Sequence, residues 1–473
     1  MSWFSEQREI PSSENGRIVC RRLFGRWEVF VGTAHESSAY TDAMWQDALR
    51  RIPRYAKVKN VLLLGLARGG LLAPLHAKFP DCRVTAVEWD PAMVEVFRTI
   101  GPKLKHPPEI IVGDATQVVR DLPSQFDLII VDLFTGPEVG SPVKNPAFFA
   151  DLQRLLAPNG LVLANFYRQG ELAGNFAPAL ESLSSWTWKF NALALARVAL
   201  PNEYHSWRQD PSFVEREVRT RTGWAVVGSR EMLGLRWHFG PIWFERYIGG
   251  QEPALEKDGP RRLVIWQTLK RQAVPSGWRE STLVSHSRLT GFAVLDANYR
   301  ERWTAHARRH LKQWHGQKDW EIIEPSLEEF LAAYDRSPMR RGLKAMFRGL
   351  LQQKASAHGE RVWLFAARKK ISGAPIEAGF ACLDLPETSQ SVHLLSFVGG
   401  AAEDVSAGTG LVDWWFRHGL AQGFKFMDFD LFWAPGDSPS WRGFSRFKSQ
   451  FGVTFIQYPP PLVKNVGTWQ KAL

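Results

Sequence analysis

The sequence predicts an α/β protein: a doubly wound parallel sheet, followed by a second, mixed α/β domain. Three observations predict it. At 473 residues the chain is longer than one hydrophobic core ordinarily serves. Between residues 61 and 166, apolar runs of strand length alternate with segments of helical spacing, the signature of buried parallel strands joined by crossover helices. From residue 362 the order changes to three successive strands, a Gly-x-Gly turn, a helix, and then strand, helix and strand. The boundaries that follow are 1–205 for the first domain, 206–288 for a Trp/Gly/Pro-rich connecting region and 289–473 for the last domain.

In the first domain, residues 17–32 alternate apolar and polar positions around Gly25, which predicts a hairpin. The stretch ESSAYTDAMWQDALRRIP places Ala43, Trp45, Ala48, Leu49 and Ile52 near helical spacing. VLLLGLARGG (61–70) then reads as a buried strand turning into a helix, with Gly65, Gly69 and Gly70 letting backbone approach a nucleotide-like ligand and the helix start offering unpaired N–H groups. A second strand, 83–87, ends in Glu88, the acidic position that takes ribose hydroxyls in a nucleotide-binding doubly wound sheet. Pro91, just after Asp90, starts the next helix. Strand 109–112 runs into Gly113-Asp114-Ala115, strand 126–131 into Asp132, and strand 161–166 follows a helix and the Pro158-Asn159-Gly160 turn. Ligands bind at the carboxyl ends of such strands, where these glycines and acids gather. Each acid also has a structural reading: Glu88 and Asp90 cap a helix, Asp114 holds a turn, Asp132 solvates a strand end.

Residues 201–287 lose the alternation and read as short antiparallel strands and loops, in which His205, His238 and His286 stand alone without metal-ligand spacing. YRERWTAHARRHLKQW (299–314) is a basic amphipathic helix, suited to nucleic acid, phosphate or lipid headgroups, or simply to solvent. Helices at 328–334 and 342–354 precede strands 362–368, 376–383 and 392–398. After GGAAEDVSAGTG comes the helix LVDWWFRHGLAQ, closed by Gly423. Gly408 and Gly410 leave the amides of that helix start open to a pyrophosphate. A strand at 424–429, a helix at 441–451 and a strand at 453–458 complete the pattern.

Composition narrows the class. With 45% hydrophobic and 23% charged residues the chain is expected to be soluble and globular. No apolar run reaches the length of a membrane span, and MSWFSEQREI has no leader-like apolar core, so a cytoplasmic location is expected. Three separated cysteines, Cys20, Cys82 and Cys382, fit a reducing compartment and exclude a disulfide framework or a Cys-rich zinc site. The net charge of +11 favours an anionic partner. The 21 tryptophans follow no repeat, which points to aromatic cores rather than a base-stacking platform.

VLLLGLARGG, AVEWDPAMVEVFR and VGDATQVVRDLPSQFDLIIVDLF together resemble the spermidine synthase branch of the class I S-adenosylmethionine-dependent methyltransferase fold, over about residues 15–205; ESSAY and the hairpin GRIVCRRLFGRWEVF add to the likeness. The resemblance implies a Rossmann-like fold, with Glu88 on the ribose, Asp114 with Ala115 on the adenine, and the Gly65–Gly70 turn on the methionine-like part of S-adenosylmethionine or its decarboxylated form. Aminopropyltransferases typically carry an aspartate in the glycine turn and a D-x-x-D pair after the fourth strand. Here the turn holds Ala67-Arg68 and the second place of the pair is Thr135, which cannot act as a carboxylate base. Asp132 remains as the candidate catalytic carboxylate for deprotonation, and polyamine synthesis is disfavoured by the departures.

The strand, VSAGTG turn and helix resemble the GNAT acyltransferase fold, with Val405 in place of the Arg or Gln that leads its pyrophosphate motif. FKFMDFDLFW followed by FSRFKSQFG is similar to the Fem group of aminoacyltransferases, over roughly 290–460. That likeness implies acyl-coenzyme A or an aminoacyl donor on Gly408 and Gly410, with Arg446 and Lys448 near an anionic donor or acceptor; Asp428 and Asp430 alternate with Phe429 on one strand face, where they either steer an amine or close a structural network. The expected function is therefore acyl transfer to a small-molecule amine by the last domain, with an adenosyl-sulfur ligand in the first and no metal. The alternatives are a catalytically degenerate protein that binds nucleic acid or another anionic partner through 299–314, and an active polyamine aminopropyltransferase.

Overall fold

A computed structural model describes residues 5–467, except 54–55, 57, 123–125, 136–137, 177–178, 199–200, 202–203, 230–231, 257–259, 269–273, 282–288, 339–340, 434–436, 438 and 440–441. His286 and Trp441 thus lie outside the described residues. The chain divides into two compact units, Met1–Pro201 and Asn202–Leu473.

The first unit opens with an antiparallel sheet of β1 (Ser5–Ser12), β2 (Gly16–Leu23), β3 (Arg26–Val31) and β4 (Ala34–Ser37). Helix α1 (Ala39–Arg51) follows, held at its start by a capping box between Ser38 and Thr41. The main elements are then β5 (Asn60–Leu64), α2 (Leu72–Lys78), β6 (Arg83–Glu88), α3 (Pro91–Ile100), β7 (Glu109–Val112), α4 (Ala115–Asp121), β8 (Phe126–Val131), the short pair β9 (Phe134–Thr135) and β10 (Glu138–Val139), α5 (Pro146–Leu155), β11 (Leu156–Asn165), β12 (Leu180–Trp188) and β13 (Asn191–Val198). Seven strands form one sheet in the order β12-β13-β11-β8-β5-β6-β7. β5, β6, β7, β8 and β11 run parallel; β12 and β13 pair antiparallel at one edge.

The apolar runs are continuous because both faces of this sheet are covered. Leu62, Leu64, Ile129, Val131, Val162 and Ala164 pack on one side with Phe148, Phe149 and Leu152 of α5. Val61, Leu63, Leu128, Ile130, Leu161 and Leu163 pack on the other with Met44, Trp45 and Leu49 of α1 and Leu72 and Leu75 of α2. The strand order reverses between β5 and β8, so the crevice between their carboxyl ends is the switch point where a doubly wound sheet binds ligands.

In the second unit the seven-stranded sheet runs, in spatial order, Trp320–Ile323, Val362–Lys369, Ala378–Leu385, Gln390–Val398, Phe426–Phe432, Leu289–Val294 and Val453–Gln457. The neighbours Gln390–Val398 and Phe426–Phe432 are parallel and joined through helix Ala407–Ala421; the other pairs are antiparallel. The connecting region is not a separate piece. Its strands Ala225–Ser229, Met232–Phe239, Ile242–Ile248, Arg262–Gln267 and Arg279–Glu280 share a six-stranded sheet with Leu462–Val466 near the chain's end.

The basic stretch at 299–314 differs from its expected form. It is a 3-10 turn, Tyr299–Arg302, and then a helix, Ala305–His315, whose start is capped by Thr304. Trp303 and Trp314 are buried. Arg300 grips the buried Asp413 through Nε at 2.7 Å and Nη2 at 2.8 Å, Arg302 pairs with Asp296, and Arg308 donates to the carbonyls of Glu301 and Trp303. Much of the expected anion-binding charge is therefore spent on internal contacts.

Candidate active site

The carboxyl ends of β5, β6, β7 and β8 surround a cavity of about 520 Å³. Gly65, Glu88, Asp114, Ala115 and Asp132, all singled out in the sequence, line it together. Gly65 takes φ +93°, and a Cβ there would stand 2.1 Å from the carbonyl oxygen of Asp132. Its lack of a side chain is what lets the ends of β5 and β8 lie side by side. Gly69 and Gly70 correct the sequence reading, since neither is among the lining residues. A side chain at Gly69 would meet the Phe97 ring, and one at Gly70 would meet the Asp42 carboxylate that Arg68 grips at 2.8 Å. These two glycines make room for protein, not for ligand.

Glu88 is buried, and its carboxylate already holds backbone: Oε2 accepts from the N–H groups of Leu66 (2.9 Å) and Ala67 (3.3 Å), and Oε1 from that of Asp90 (3.2 Å). It thus fastens the glycine turn to β6 as well as facing the cavity. Asp90 is fully buried; it caps α3 through Ala92 and accepts from Ser12 at 2.7 Å and Asn15 at 2.6 Å, pinning the β1–β2 turn to the rim. Asp114 is exposed and caps α4 through the Thr116 N–H at 2.6 Å, and hydrogen bonds from Thr116 hold its carboxyl below the usual range.

Asp132 accepts a hydrogen bond from Asn165 Nδ2 at 3.0 Å, and Asn165 in turn accepts from Asn191 Nδ2 at 3.0 Å. Burial pushes the Asp132 carboxyl up to about 6, against hydrogen bonds from Asn165 and Trp45 that lower it and with Glu88 raising it further. Glu36, on β4, also lines the cavity. Burial raises it to about 8, with repulsion from Asp132 and Glu88 adding to the effect, and no hydrogen bond or ion pair to Glu36 forms among the described residues. No lysine or arginine lines the cavity among the described residues. Arg168 and Lys189 lie over aromatic rings of the wall: Arg168 over Tyr167 and Phe190, Lys189 over Tyr40.

Glu36, Tyr40, Asn165, Tyr167 and Asn191 were not marked as site residues by the sequence. Glu36 and Tyr40 are the first and last residues of the ESSAY segment, whose placement beside the hairpin was the available signal. Asn165 ends β11 and so occupies a strand-end position like the marked acids, but its amide carries no charge to draw notice.

In the second unit the expected site residues are placed otherwise. Gly408 and Gly410 lie inside helix Ala407–Ala421 rather than in an open turn, and neither has a positive φ. Gly410 is buried against Trp314, 2.5 Å from where its Cβ would be, so the close approach that removes the side chain is helix on helix. Lys448 is buried, and its ammonium donates to the carbonyls of Phe429 and Leu431; Arg446 is exposed. Asp428 is buried, accepts from Tyr204 at 3.0 Å and is pushed up to about 6, chiefly by burial. Asp430, at φ +57° in a bulge of its strand, pairs with Arg208 and donates its N–H to Asp428 at 2.6 Å. These acids are tied into a buried network instead of facing an open acceptor site. Among the described residues no cluster of metal-ligating side chains occurs, and no helix is long and apolar enough to cross a membrane.

Comparison with known proteins finds several that resemble part of the chain. The eEF1A lysine and N-terminal methyltransferase homolog of Drosophila melanogaster is 30% identical over 132 residues, covering 25% of this chain and 19% of that protein. The polyamine aminopropyltransferase of Chromobacterium violaceum is 25% identical over 167 residues, covering 34% of this chain and 60% of that protein. The chain thus spans between about a fifth and three fifths of the length of these relatives. A solved structure of FemX is similar at 9% identity and a TM-score of 0.43, covering 55% of this chain and 92% of that one. The chain has a mixed α/β fold with a Rossmann-like first unit, in which residues 61–160 match the family described as a methyltransferase domain.

Proposed function

We propose that the first unit transfers an alkyl group from an adenosyl-sulfonium donor to an amine, and that its cavity selects ligands by positive charge. The observation that carries this reading is the cavity wall: Glu36, Glu88, Asp114 and Asp132 line it, with no lysine or arginine among the described lining residues. Glu36 and Asp132 are raised by burial and by acidic neighbours, so a cation entering the cavity relieves repulsion and favours both as carboxylates. Glu88 and Asp114 stand at adjacent strand ends, where the resemblance puts ribose and adenine, and the donor set fits an adenosyl group. When bound, a sulfonium donor supplies an electrophilic carbon beside a positively charged sulfur. The residues of this chain hold the acceptor and take its proton, because an ammonium must be deprotonated before its nitrogen can attack. Asp132, raised to about 6, is suited to receive that proton near neutral pH.

The same wall discriminates between the two donors. Both donors carry an ammonium, but S-adenosylmethionine adds a carboxylate that would enter a group of acids, whereas the decarboxylated form has lost it. The decarboxylated donor and a polyamine-type acceptor are the better electrostatic match. Glu36 then supplies a second carboxylate from β4, where Thr135 fails to supply one from the β8 loop. The names of both curated relatives are in keeping with amine acceptors: one is a polyamine aminopropyltransferase, the other a lysine and N-terminal methyltransferase homolog. Acyl transfer by the second unit has no such support, since Gly410 is packed against Trp314 and a side chain at Gly408 would meet Val398.

Calorimetric titration with decarboxylated S-adenosylmethionine, S-adenosylmethionine and putrescine tests the proposal. The decarboxylated donor should bind at least about tenfold more tightly, a difference of about 1.4 kcal/mol, and Glu36→Gln should shrink that ratio. Equal or tighter binding of S-adenosylmethionine, with no binding of the diamine, would overturn the polyamine reading.

A further inference from the structure

We infer that Tyr40, Asn191 and Asn165 form a positioning relay that fixes the orientation of the Asp132 carboxylate. The inference rests on Asp132 being the proton acceptor proposed above, but the relay itself is a matter of geometry. Four side chains, three from α1, β13 and β11 and the fourth just past the end of β8, are joined end to end. The Tyr40 hydroxyl on α1 donates to Asn191 Oδ1 at 2.6 Å, Asn191 Nδ2 on β13 donates to Asn165 Oδ1 at 3.0 Å, and Asn165 Nδ2 on β11 donates to Asp132 Oδ1 at 3.0 Å. Asn165 and Asn191 are 3% and 5% exposed, so neither amide has bulk water as an alternative partner.

The direction of the chain is set by backbone. The Tyr167 N–H donates to Asn165 Oδ1 at 3.0 Å, and a backbone donor cannot be exchanged for an acceptor. Asn165 must therefore present its oxygen to Tyr167 and Asn191, and its NH₂ group to Asp132. At the far end the Phe190 N–H donates to the Tyr40 oxygen at 3.3 Å; the Trp188 carbonyl is a second acceptor at 3.0 Å, but Asn191, its Nδ2 committed to Asn165, presents an oxygen at 2.6 Å, and that closer contact takes the single hydroxyl proton. Every link thus delivers a donor towards Asp132, the arrangement that favours its ionised form. The groups opposing ionisation are Glu88 at the end of β6 and burial itself, while the Trp45 side chain on α1 assists Asn165; Glu36 on β4 is the other acid coupled to Asp132. A hydrogen bond that only pinned the β12–β13 hairpin to the sheet would need neither this polarity nor Asp132 at its end.

The test is the titration of Asp132 in the whole chain, read by carboxyl carbon NMR with labelled aspartate and assigned by Asp132→Asn. Asn165→Leu should raise the Asp132 pKa by about one, as expected for loss of a hydrogen bond to a charged group. Tyr40→Phe, which keeps the ring and is expected to fold, should raise it by less but in the same direction, because it acts through two amides. In pH profiles of turnover with decarboxylated S-adenosylmethionine and putrescine, the acidic limb should move with the pKa. An Asp132 titration unchanged in Asn165→Leu would overturn the relay. So would a loss of turnover in Tyr40→Phe with the Asp132 pKa unmoved, since that tyrosine would then act on substrate itself. A shifted pKa in a protein that turns over no adenosyl donor would uphold the relay and refute the proposed reaction.

Discussion

Gly410 separates two meanings of a glycine, and alanine there measures which applies. It lies in the second turn of helix Ala407–Ala421. On helix propensity alone, Gly→Ala in a helix interior stabilises by about 1 kcal/mol. Against this, the added Cβ would stand 2.5 Å from three atoms of the Trp314 indole, Cδ1, Cε2 and Nε1. An ordinary contact begins near 3.4 Å, so the ring must withdraw by about 1 Å. Trp314 is 8% exposed and packs edge-on against Trp320 at 6.4 Å between ring centres, which leaves it little room to turn. Overpacking of this kind costs about 1–3 kcal/mol, and exceeds the propensity gain over most of that range. Gly410→Ala is expected to destabilise the chain by about 1 kcal/mol, and Gly410→Val by several times as much, because valine adds bulk and loses helix propensity. Urea unfolding followed by circular dichroism reads the change, and the Gly410→Ala/Trp314→Ala pair completes a double-mutant cycle. With the indole gone, Gly410→Ala should become neutral or stabilising. An alanine variant at least as stable as the native chain would refute the packing argument. Unchanged stability together with lost binding of acyl-coenzyme A would restore the anion cradle in its place.

Three further outcomes follow from the same structure. Glu88→Ala should destabilise the first unit by about 2–5 kcal/mol in urea unfolding as well as weaken adenosyl binding, since it strips a buried acceptor from three backbone N–H groups; unchanged stability would mean those amides find other partners. Glu36 has a folded pKa of about 8 against the ordinary 4.5, so the folded state binds the extra proton between these values and stability should fall as pH rises through that window. Glu36→Gln should flatten that part of the curve, and putrescine binding near pH 7 should release protons, seen as a buffer-dependent heat; a buffer-independent heat would remove Glu36 from the amine site. Lys448 is lowered to about 8 by burial, so the unfolded chain holds the extra proton between about 8 and the ordinary 10.5, and stability should rise with pH over that range; Lys448→Met should abolish the rise.

How much of this was legible in one dimension depends on what each residue type reports. The parallel strands β5, β6, β8 and β11 could be read because burial on both faces demands unbroken apolar runs, and nothing else in the chain needs them at that length. Strand ends could be read because charge interrupts those runs, and this led to Glu88, Asp114 and Asp132. The β12–β13 hairpin was missed: LESLSSWTW and NALALARV alternate as one-sided strands do, but no Asn-Gly or Asp-Gly turn marks the join, which is made by Lys189 at φ +49°. With the hairpin went Asn191 and Phe190, and hence one wall of the cavity. The glycines show the deeper limit. Gly65, Gly69, Gly70 and Gly410 each report that something comes too close for a Cβ, yet that something is a strand end, a phenylalanine ring, a carboxylate and an indole in turn. Sequence records the demand for space and not its occupant. A glycine-rich turn therefore argues for a ligand only once the side chains competing for the same space have been placed. At the end of β5 Gly65 and Ala67 line the cavity, while Gly69 and Gly70 are already accounted for by Phe97 and Asp42.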